Sequence, residues 1–322
     1  MEENHFITKK ATPIPWTTHW EAPSNIALIK YWGKTTPQIP KNPSLSFTLS
    51  SSVTQTQVVF EPVSSGAFDF NFYFEGVAKP DFKPKLQTFF KRIESYIPWI
   101  QGYQLTIKSH NTFPHSSGIA SSASAMAALA MCLMDLEQKL VPDLEPEFFH
   151  QKASFLARLG SGSAARSVQG PVTLWGVNKI QNRSSNLYAI PFGPDLHPVF
   201  STYQDTILLV DKGTKAVSSS QGHQLMHQHP FASQRFLQAG ANLEALVQIM
   251  KAGDLEAFIK VVELEALSLH AMMMTSNPYF ILMKPQTLSI IEKIWEFRES
   301  TSIPVCFTLD AGANVHILYP QD

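Results

Sequence analysis

The chain has 322 residues and a formal net charge of −1, so it is long enough for one large or two moderate domains. Its nearly neutral charge argues against nucleic acid or an anionic membrane surface as a partner. The two cysteines, Cys132 and Cys306, lie in apolar stretches and indicate reduced core thiols. The first residues lack a secretory pattern and no apolar stretch is long enough to span a bilayer, so we expect a cytoplasmic protein.

Strands predominate in the first half of the chain. Residues 44–50 alternate polar and apolar side chains, which is the period of a half-buried strand. Residues 64–66 are predicted as a turn between two further strands. Strands are predicted over residues 44–50, 54–60, 70–75, 103–107 and 171–175, and helices over residues 83–97, 126–133 and 146–159.

Helices predominate in the second half. We predict helices over residues 231–250, 255–274 and 286–298, a strand over residues 205–210, and a terminal hairpin of residues 305–309 and 315–319. This distribution favours an α+β architecture over a doubly wound parallel sheet. Residues 193–198 are the candidate boundary, which divides the chain into domains of residues 1–195 and 196–322.

A turn rich in serine and alanine, residues 114–125, joins a predicted strand to a predicted helix. Such a turn presents backbone N–H groups and hydroxyls at the positive end of a helix dipole, which suits a phosphate or another anion. The alternative is that its serines only cap a core helix. The segment has one glycine and no Gly-Lys-Ser/Thr, so it is neither a Walker loop nor a dinucleotide fingerprint.

Three other segments carry residues suited to an anionic substrate. Lys30 and Lys34 flank two aromatic residues and can face an anion, although solvated lysines beside core aromatics are the simpler interpretation. Arg166 follows a run of small residues and offers a forked donor for a carboxylate or phosphate; a flexible linker is the alternative. Asp310 lies in the predicted terminal turn, where an aspartate more often accepts hydrogen bonds from nearby amides.

Together these segments resemble the diphosphomevalonate decarboxylases of the GHMP kinase superfamily, which includes galactokinase and mevalonate kinase. The runs Lys-Tyr-Trp-Gly-Lys and Gly-Ser-Gly-Ser-Ala-x-Arg-Ser separate the decarboxylases from the kinases of the same fold. The resemblance spans nearly the whole chain in the family's order. It covers residues 25–34, 42–49, 111–125, 160–167, 217–222, 268–271 and 308–314.

The resemblance implies the GHMP kinase fold, with a ribosomal protein S5 domain 2-like N-terminal part and a ferredoxin-like, helix-rich C-terminal part around a deep active-site cleft. It implies that ATP and (R)-5-diphosphomevalonate become isopentenyl diphosphate, carbon dioxide, ADP and phosphate. The 3-hydroxyl is phosphorylated before phosphate and carbon dioxide leave. ATP and Mg²⁺ are the implied cofactors, and family habit implies a homodimer.

The resemblance also assigns residues to roles. Asp310 corresponds to the base that accepts the proton of the 3-hydroxyl, Arg166 to the clamp on the substrate carboxylate, and Lys30 to a third catalytic residue. The other expected substrate contacts are Tyr31, Lys34, Ser163, Ser219 and Ser220. The expected ATP contacts are Asn111, Ser116, Ser117, Gly118, Ala120, Ser121 and Ser122, with Ser122 in the magnesium shell.

The sequence departs from the family's pattern at a few positions. Residues 115–118 read His-Ser-Ser-Gly where members usually carry Thr-Ala-Ala-Gly, and Ser220 stands where many bacterial members place an arginine. None of these departures affects Asp310, Arg166 or Lys30. Two alternatives remain open: a relative that decarboxylates phosphomevalonate or only phosphorylates mevalonate at its 3-hydroxyl, and a non-catalytic ligand-binding homologue.

Overall fold

The computed structural model describes residues 2–63, 68–114, 119–193, 195–211 and 217–321. Within these ranges, the strands are β1 (Trp16–Ile29), β2 (Lys34–Thr35), β3 (Ile39–Pro40), β4 (Ser44–Pro62), β5 (Asp69–Phe74), β6 (Val77–Ala78), β7 (Tyr103–Asn111), β8 (Val172–Trp175), β9 (Ala189–Pro191), β10 (Gln204–Leu208), β11 (Cys306–Thr308) and β12 (Val315–Tyr319). The α-helices are α1 (Lys83–Ile93), α2 (Ser121–Leu140), α3 (Pro146–Gly160), α4 (Ser219–Leu225), α5 (Ala232–Ala252), α6 (Leu255–Met274) and α7 (Pro285–Thr301). None of the helices described is long and apolar enough to cross a bilayer.

The larger sheet is organised around β4, a strand of 19 residues. One edge of β4 pairs antiparallel with β1 along most of its length. On the other edge, β7 and β8 pair antiparallel with different ends of β4, so they follow one another along it. The loop before α2 therefore leaves the sheet close to the middle of β4. The sequence predicted two strands over residues 44–50 and 54–60, and the structure joins them into one.

The strand β1 was not predicted from the sequence. Its residues from Ile26 to Ile29 are all buried, so they form a continuous apolar run rather than an alternating one. Its register against β4 also shifts between Pro23 and Ser24 and again between Ala27 and Ile29. These irregularities break the two-residue period on which strand prediction depends.

Two hydrophobic cores lie around this sheet. The first contains buried side chains of α1, α2 and α3, such as Leu133 and Phe155, packed with those of β4 and β7. The second joins Leu28 and Leu45 of the large sheet to Leu243 of α5 and Val262 of α6. The two halves of the chain therefore share a core, and the division at residues 195 and 196 stays a prediction.

The second half carries a smaller sheet in the order β10-β12-β11. Its strands β11 and β12 pair antiparallel, as the predicted terminal hairpin requires. The predicted helix over residues 255–274 matches α6, whereas the helix predicted over residues 83–97 ends at Ile93. The sheets are mainly antiparallel, with one parallel pair between β5 and β7, and the helices are separate from them, which confirms the α+β class.

Candidate active site

One cavity of about 280 Å³ lies where the large sheet meets the helices of the second half. Segments far apart in the sequence contribute to its wall: the end of β1, the start of α2, the turn after α3, α4, and the loop between β11 and β12. The predicted site residues that line it are Tyr31, Lys34, Ala120, Ser121, Ser122, Ser163, Arg166, Ser219, Ser220 and Asp310. The structure thus brings together side chains that the sequence spreads over 280 positions.

The guanidinium of Arg166 is fixed in the wall of this cavity. Its Nη1 donates to Ser44 Oγ at 2.8 Å, and its Nε donates to Asn25 Oδ1 at 3.3 Å. The group also lies 5.7 Å from the centre of the Trp175 ring, within the range of a cation–π contact. Because Arg166 is buried, its pKa falls to about 10, while the charge of Asp310 acts in the opposite direction. A guanidinium oriented in this way suits a carboxylate or phosphate.

Asp310 is carried by the short loop between β11 and β12. Its backbone carbonyl accepts a hydrogen bond from Gly312 N at 2.7 Å and lies 3.2 Å from His270 Nε2. The carboxylate raises the pKa values of both Arg166 and Lys30, so it lies within electrostatic range of two buried cations. A carboxylate near two buried cations in a cleft is a candidate functional group.

Lys30 lies behind the wall of the cavity rather than in it. Its side chain is buried, and its Nζ donates to the carbonyl of Ala27 at 2.5 Å. Its backbone N–H donates to Glu265 Oε2 at 2.8 Å, and burial lowers its pKa to about 8 against the pull of Asp310 and Glu265. The expected contact between Lys30 and the substrate stays a prediction. The positive charge of Lys30 interacts electrostatically with Asp310 and Arg166.

Tyr31 presents a hydroxyl that has no hydrogen-bond partner among the described residues, although the atom is buried. Desolvation raises the pKa of this phenol, so it remains a neutral donor. A Cβ placed on Gly162 would lie 2.5 Å from the hydroxyl oxygen, which explains why a glycine stands beneath it. A buried unpaired hydroxyl is costly and marks a place where a ligand atom can complete the bond.

Lys34 lines the cavity close to two other cations. Burial, together with the charges of Arg92 and Lys85, lowers its pKa to about 8. Lys85, on α1, also lines the cavity, and nothing in the sequence marked it as a site residue. Several cations that repel one another at one end of a cleft are suited to a polyanion.

The start of α2 is open toward the same end of the cavity. The residue before the helix is Ala120, in a left-handed conformation with φ of 44°, and it gives no side-chain cap. The alternative in which a serine caps this helix does not hold at the N-cap position, because Ala120 occupies it. Ser121 and Ser122 occupy the first turn, where the backbone N–H groups and the helix dipole favour an anion. Ser122 Oγ lies 3.4 Å from Ser161 Oγ.

A second pocket, largely apolar, adjoins this helix start. Asn111 lines this pocket rather than the main cavity, and its Oδ1 accepts a hydrogen bond from Thr54 Oγ1 at 2.8 Å. The side chains of Phe72, Phe74 and Phe82 form one side of it. Ser121, Ser122 and Lys85 line both pockets. Four of the residues predicted or discussed for the anion turn (His115, Ser116, Ser117 and Gly118) lie outside the described residues.

Lys85 and His223 line the main cavity, and sequence reasoning did not predict either as a site residue. Lys85 stands in a helix with no motif around it, so no local signal was available. His223 follows directly after the segment 217–222 that carries part of the resemblance, and its place in the same short helix as Ser219 and Ser220 was the available signal. The cavity as a whole offers a carboxylate, a fixed guanidinium and an end rich in cations and hydroxyls.

Comparisons with known proteins agree with this geometry. Residues 22–186 match the diphosphomevalonate decarboxylase-like N-terminal domain, and residues 206–322 match the mevalonate 5-diphosphate decarboxylase C-terminal domain. A diphosphomevalonate decarboxylase of Ganoderma lucidum is 28% identical over 94% of this chain and 78% of its own length. A phosphomevalonate decarboxylase of Haloferax volcanii is also 28% identical, over 90% of this chain and 84% of its own. A solved structure described as "MDDEF in complex with MVAPP, AMPPCP and Magnesium" superposes with a TM-score of 0.81 at 27% identity, covering 96% of this chain and 90% of that one.

Proposed function

Since this chain belongs to the diphosphomevalonate decarboxylase family, we propose that it catalyses the ATP-dependent decarboxylation of (R)-5-diphosphomevalonate to isopentenyl diphosphate. The observation that carries the proposal is the single cavity shared by Asp310, Arg166 and the cationic end at Lys34. These groups match the three needs of the reaction: a base for an alcohol, a clamp for a carboxylate and counter-charges for phosphates. The products are isopentenyl diphosphate, carbon dioxide, ADP and phosphate.

In this proposal Asp310 orients the tertiary 3-hydroxyl and accepts its proton as that oxygen attacks the γ-phosphoryl group. A tertiary alcohol is a poor nucleophile, so a positioned base contributes typically ~10²–10⁴-fold. The buried positive charges of Arg166 and Lys30 lie within electrostatic range of this carboxylate. Lys30 is thus a positioning residue that acts through the charge of Asp310.

Arg166 is proposed to hold the substrate carboxylate. After phosphoryl transfer, phosphate leaves with the electrons of the C–O bond and the tertiary carbon becomes electron-deficient. The C–C bond to the carboxylate then breaks, its electron pair forms the double bond, and carbon dioxide departs. A guanidinium fixed by Ser44 and Asn25 keeps that carboxylate aligned until the bond breaks.

The residues near α2 fit a nucleoside triphosphate. ATP, with Mg²⁺ on its phosphates, supplies the phosphoryl group. Lys85 and the open N–H groups of α2 would hold the phosphates, and Ser122 would take part in the magnesium shell. The apolar pocket of Phe72, Phe74 and Phe82 is suited to the base, because an aromatic base stacks or packs on such side chains. Tyr31, Lys34, Ser219 and Ser220 line the same cavity and would receive the substrate diphosphate.

The similarity to a phosphomevalonate decarboxylase favours a second candidate, in which the substrate carries a single phosphate. We would incubate the protein with ATP, Mg²⁺ and each of mevalonate, 5-phosphomevalonate and 5-diphosphomevalonate, and follow ADP and carbon dioxide together. Equal amounts of both from the diphosphate alone are expected. Both products from the monophosphate alone would support the second candidate, and ADP without carbon dioxide would indicate a kinase. No ADP from any compound would indicate a non-catalytic homologue.

Two further expectations remain predictions. A homodimer is implied by the family alone, and a cytoplasmic location also stays a prediction. Sedimentation of the purified protein at several concentrations would test the first, and the location of a tagged chain in its own cell would test the second. Binding of nucleic acid is not expected, since the chain is almost neutral.

A further inference from the structure

His223 occupies a place in the main cavity that the proposed reaction does not yet use. It lies on α4 one turn after Ser219 and Ser220, and all three side chains line the cavity. Residues three and four apart share one face of a helix. The imidazole is 6% exposed, so its orientation is set by the protein around it.

The tautomer of this ring is fixed by the backbone of Gly33. The N–H of Gly33 donates to His223 Nδ1 at 2.9 Å, and a nitrogen that accepts a hydrogen bond carries no proton. The proton of the neutral ring therefore lies on Nε2. Among the described residues, Nε2 has no hydrogen-bond partner, although the ring is almost fully buried beside the cavity.

Neighbouring rings leave the imidazole little freedom to turn. Its centre lies 4.4 Å from that of Tyr31 and 4.7 Å from that of Trp32. A Cβ placed on Gly222 would lie 2.5 Å from the Trp32 ring, so α4 sits tightly against this side of the cavity. Burial and the charge of Lys34 lower the pKa of His223 to about 3, against the opposite effect of Asp310. The lowered pKa favours the neutral ring, in which one nitrogen carries a hydrogen.

We propose that His223 donates an Nε2–H hydrogen bond to a phosphate oxygen at the phosphorylated end of the substrate, with Gly33 holding the ring in the tautomer that permits it. The inference rests on the proposed function and names a specificity-determining residue of the same site. The phosphorylated end is favoured because the partners beside His223 are the cation Lys34 and the hydroxyls of Ser219, Ser220 and Tyr31. Arg166, which is proposed to hold the substrate carboxylate, is fixed separately by Ser44 and Asn25.

Two substitutions separate the two nitrogens of the ring. In H223N the side-chain oxygen can replace Nδ1 as the acceptor for Gly33, but the donor that reaches the cavity is lost. In H223Q the amide can replace Nε2 as that donor, while the acceptor for Gly33 is lost. Calorimetric titration without ATP gives the Kd of each variant for mevalonate, 5-phosphomevalonate and 5-diphosphomevalonate.

We expect H223N to weaken binding of the phosphorylated ligands by about 10- to 100-fold, the size of a hydrogen bond to a charged group, and to leave mevalonate unchanged. H223Q is expected to stay within about threefold of the wild type for all three. In turnover, KM for the substrate rises in H223N while kcat changes less. If H223Q loses affinity and H223N does not, or if mevalonate suffers equally, the ring only anchors Gly33 and the inference is overturned.

A measurement on the wild-type protein covers the case in which a variant does not fold. The ¹⁵N chemical shifts of His223 report which ring nitrogen carries the proton, and the Nε2–H resonance moves when that hydrogen meets a phosphate oxygen. We expect a protonated Nε2 whose signal shifts on adding inorganic pyrophosphate. A protonated Nδ1, or an unchanged Nε2–H signal at saturating 5-diphosphomevalonate, would overturn the inference. If the wild type binds none of the three compounds and makes no ADP, the proposed function fails first.

Discussion

Buried charges at the site are supported by a separate set of contacts behind it. Glu265 accepts hydrogen bonds from the backbone of Lys30 and from Asn242 Nδ2, at 2.8 and 2.6 Å, and forms an ion pair with Arg235. All of these groups lie in the low-dielectric interior, where an unpaired charge is expensive. Glu265 thus fixes the backbone at Lys30, and the adjoining Tyr31 is carried on the same segment.

Replacement of Asp310 by asparagine tests the base. We expect kcat to fall by ~10²–10⁴-fold, because the amide cannot accept the proton of the 3-hydroxyl. Substrate affinity should change little or improve, since Arg166 and Lys30 lose a competing negative charge. Asp195→Asn, in a surface ion pair with Lys251, is the matched control. Steady-state kinetics and a separate Kd measurement check the result; a variant that retains full kcat would rule out Asp310 as the base.

The lowered pKa values of Lys30 and Lys34, both about 8, predict an alkaline limit to activity. Both side chains lose their positive charge as the pH rises through 8, so kcat/KM, which reports on the free enzyme, should fall above that pH. A bound anion favours the protonated lysine, so the fall in kcat with rising pH should occur at a higher pH than the fall in kcat/KM. Rate profiles between pH 6 and 10 check this.

Lys34→Arg provides the control for that profile, because an arginine stays protonated throughout the range. In this variant, the fall in kcat/KM that deprotonation of Lys34 causes should disappear. The fall that deprotonation of Lys30 causes should remain. If kcat and kcat/KM of the wild type fall at the same pH, the pH dependence does not come from lysines that bind the anionic substrate.

Residues with a local signal were those that the sequence could identify. Arg166 and Asp310 stand beside small residues in turns, and these turns converge on one cavity. Lys85 could not be identified, because α1 resembles any amphipathic surface helix and only the tertiary packing carries its third residue to the anion turn. The motif around Lys30 was clear, but the sequence could not show that the Lys30 ammonium donates to the backbone carbonyl of Ala27.

At the scale of the elements, long periodic helices were predicted well and irregular strands were not. α6 has its predicted bounds because Asp254 caps it and apolar residues repeat along it. β1 was missed because bulges and double-sided burial remove its alternation. Gly160 ends α3, and its lack of a side chain allows a close approach, since a Cβ there would lie 2.5 Å from Met126 Sδ.

The contact between α2 and α3 contains a fully buried ion pair. Lys152 Nζ lies 2.8 and 2.9 Å from the two carboxylate oxygens of Glu137, and Trp99 Nε1 donates to the same carboxylate at 3.0 Å. Removing one partner leaves a charge with no counter-ion in the core. We expect Lys152→Met to lower the free energy of unfolding by about 3–5 kcal/mol, measured by urea denaturation.

The double variant Lys152→Met with Glu137→Met is the control for this prediction. It removes both charges, so it should recover much of the stability lost in the single variant. Equal losses in the single and double variants would mean that packing, rather than an unpaired carboxylate, determines the effect. Neither residue lies near the main cavity, so substrate affinity should be unchanged in any variant that folds.

At the scale of the whole molecule, the second core decides how the chain unfolds. Leu28 and Leu45 from the large sheet pack with Leu243 and Val262 from the helices of the second half, all four fully buried. Neither half can expose this surface without losing a large hydrophobic contribution. A composition shift along the chain suggested two domains, and the shared core could not be predicted because it depends on side chains that are distant in sequence.

We therefore expect one cooperative unfolding transition. Five of the six tryptophans lie before residue 195, so fluorescence follows the first half, while far-UV circular dichroism follows the helices of both. The two urea curves should coincide. Leu243→Ala should shift both together, by about 2–5 kcal/mol. Two transitions, with fluorescence and dichroism separated, would show that the halves unfold independently.

The cluster of Lys34, Lys85 and Arg92 also affects the lifetime of the protein. In the ligand-free state these like charges repel one another, and any bound polyanion relieves that repulsion as it binds. The liganded form should therefore be the more heat-resistant one and should be cleaved more slowly by proteases. A cell short of substrate would then clear this protein faster than a cell well supplied with it, so that the amount of protein follows the supply of its own substrate.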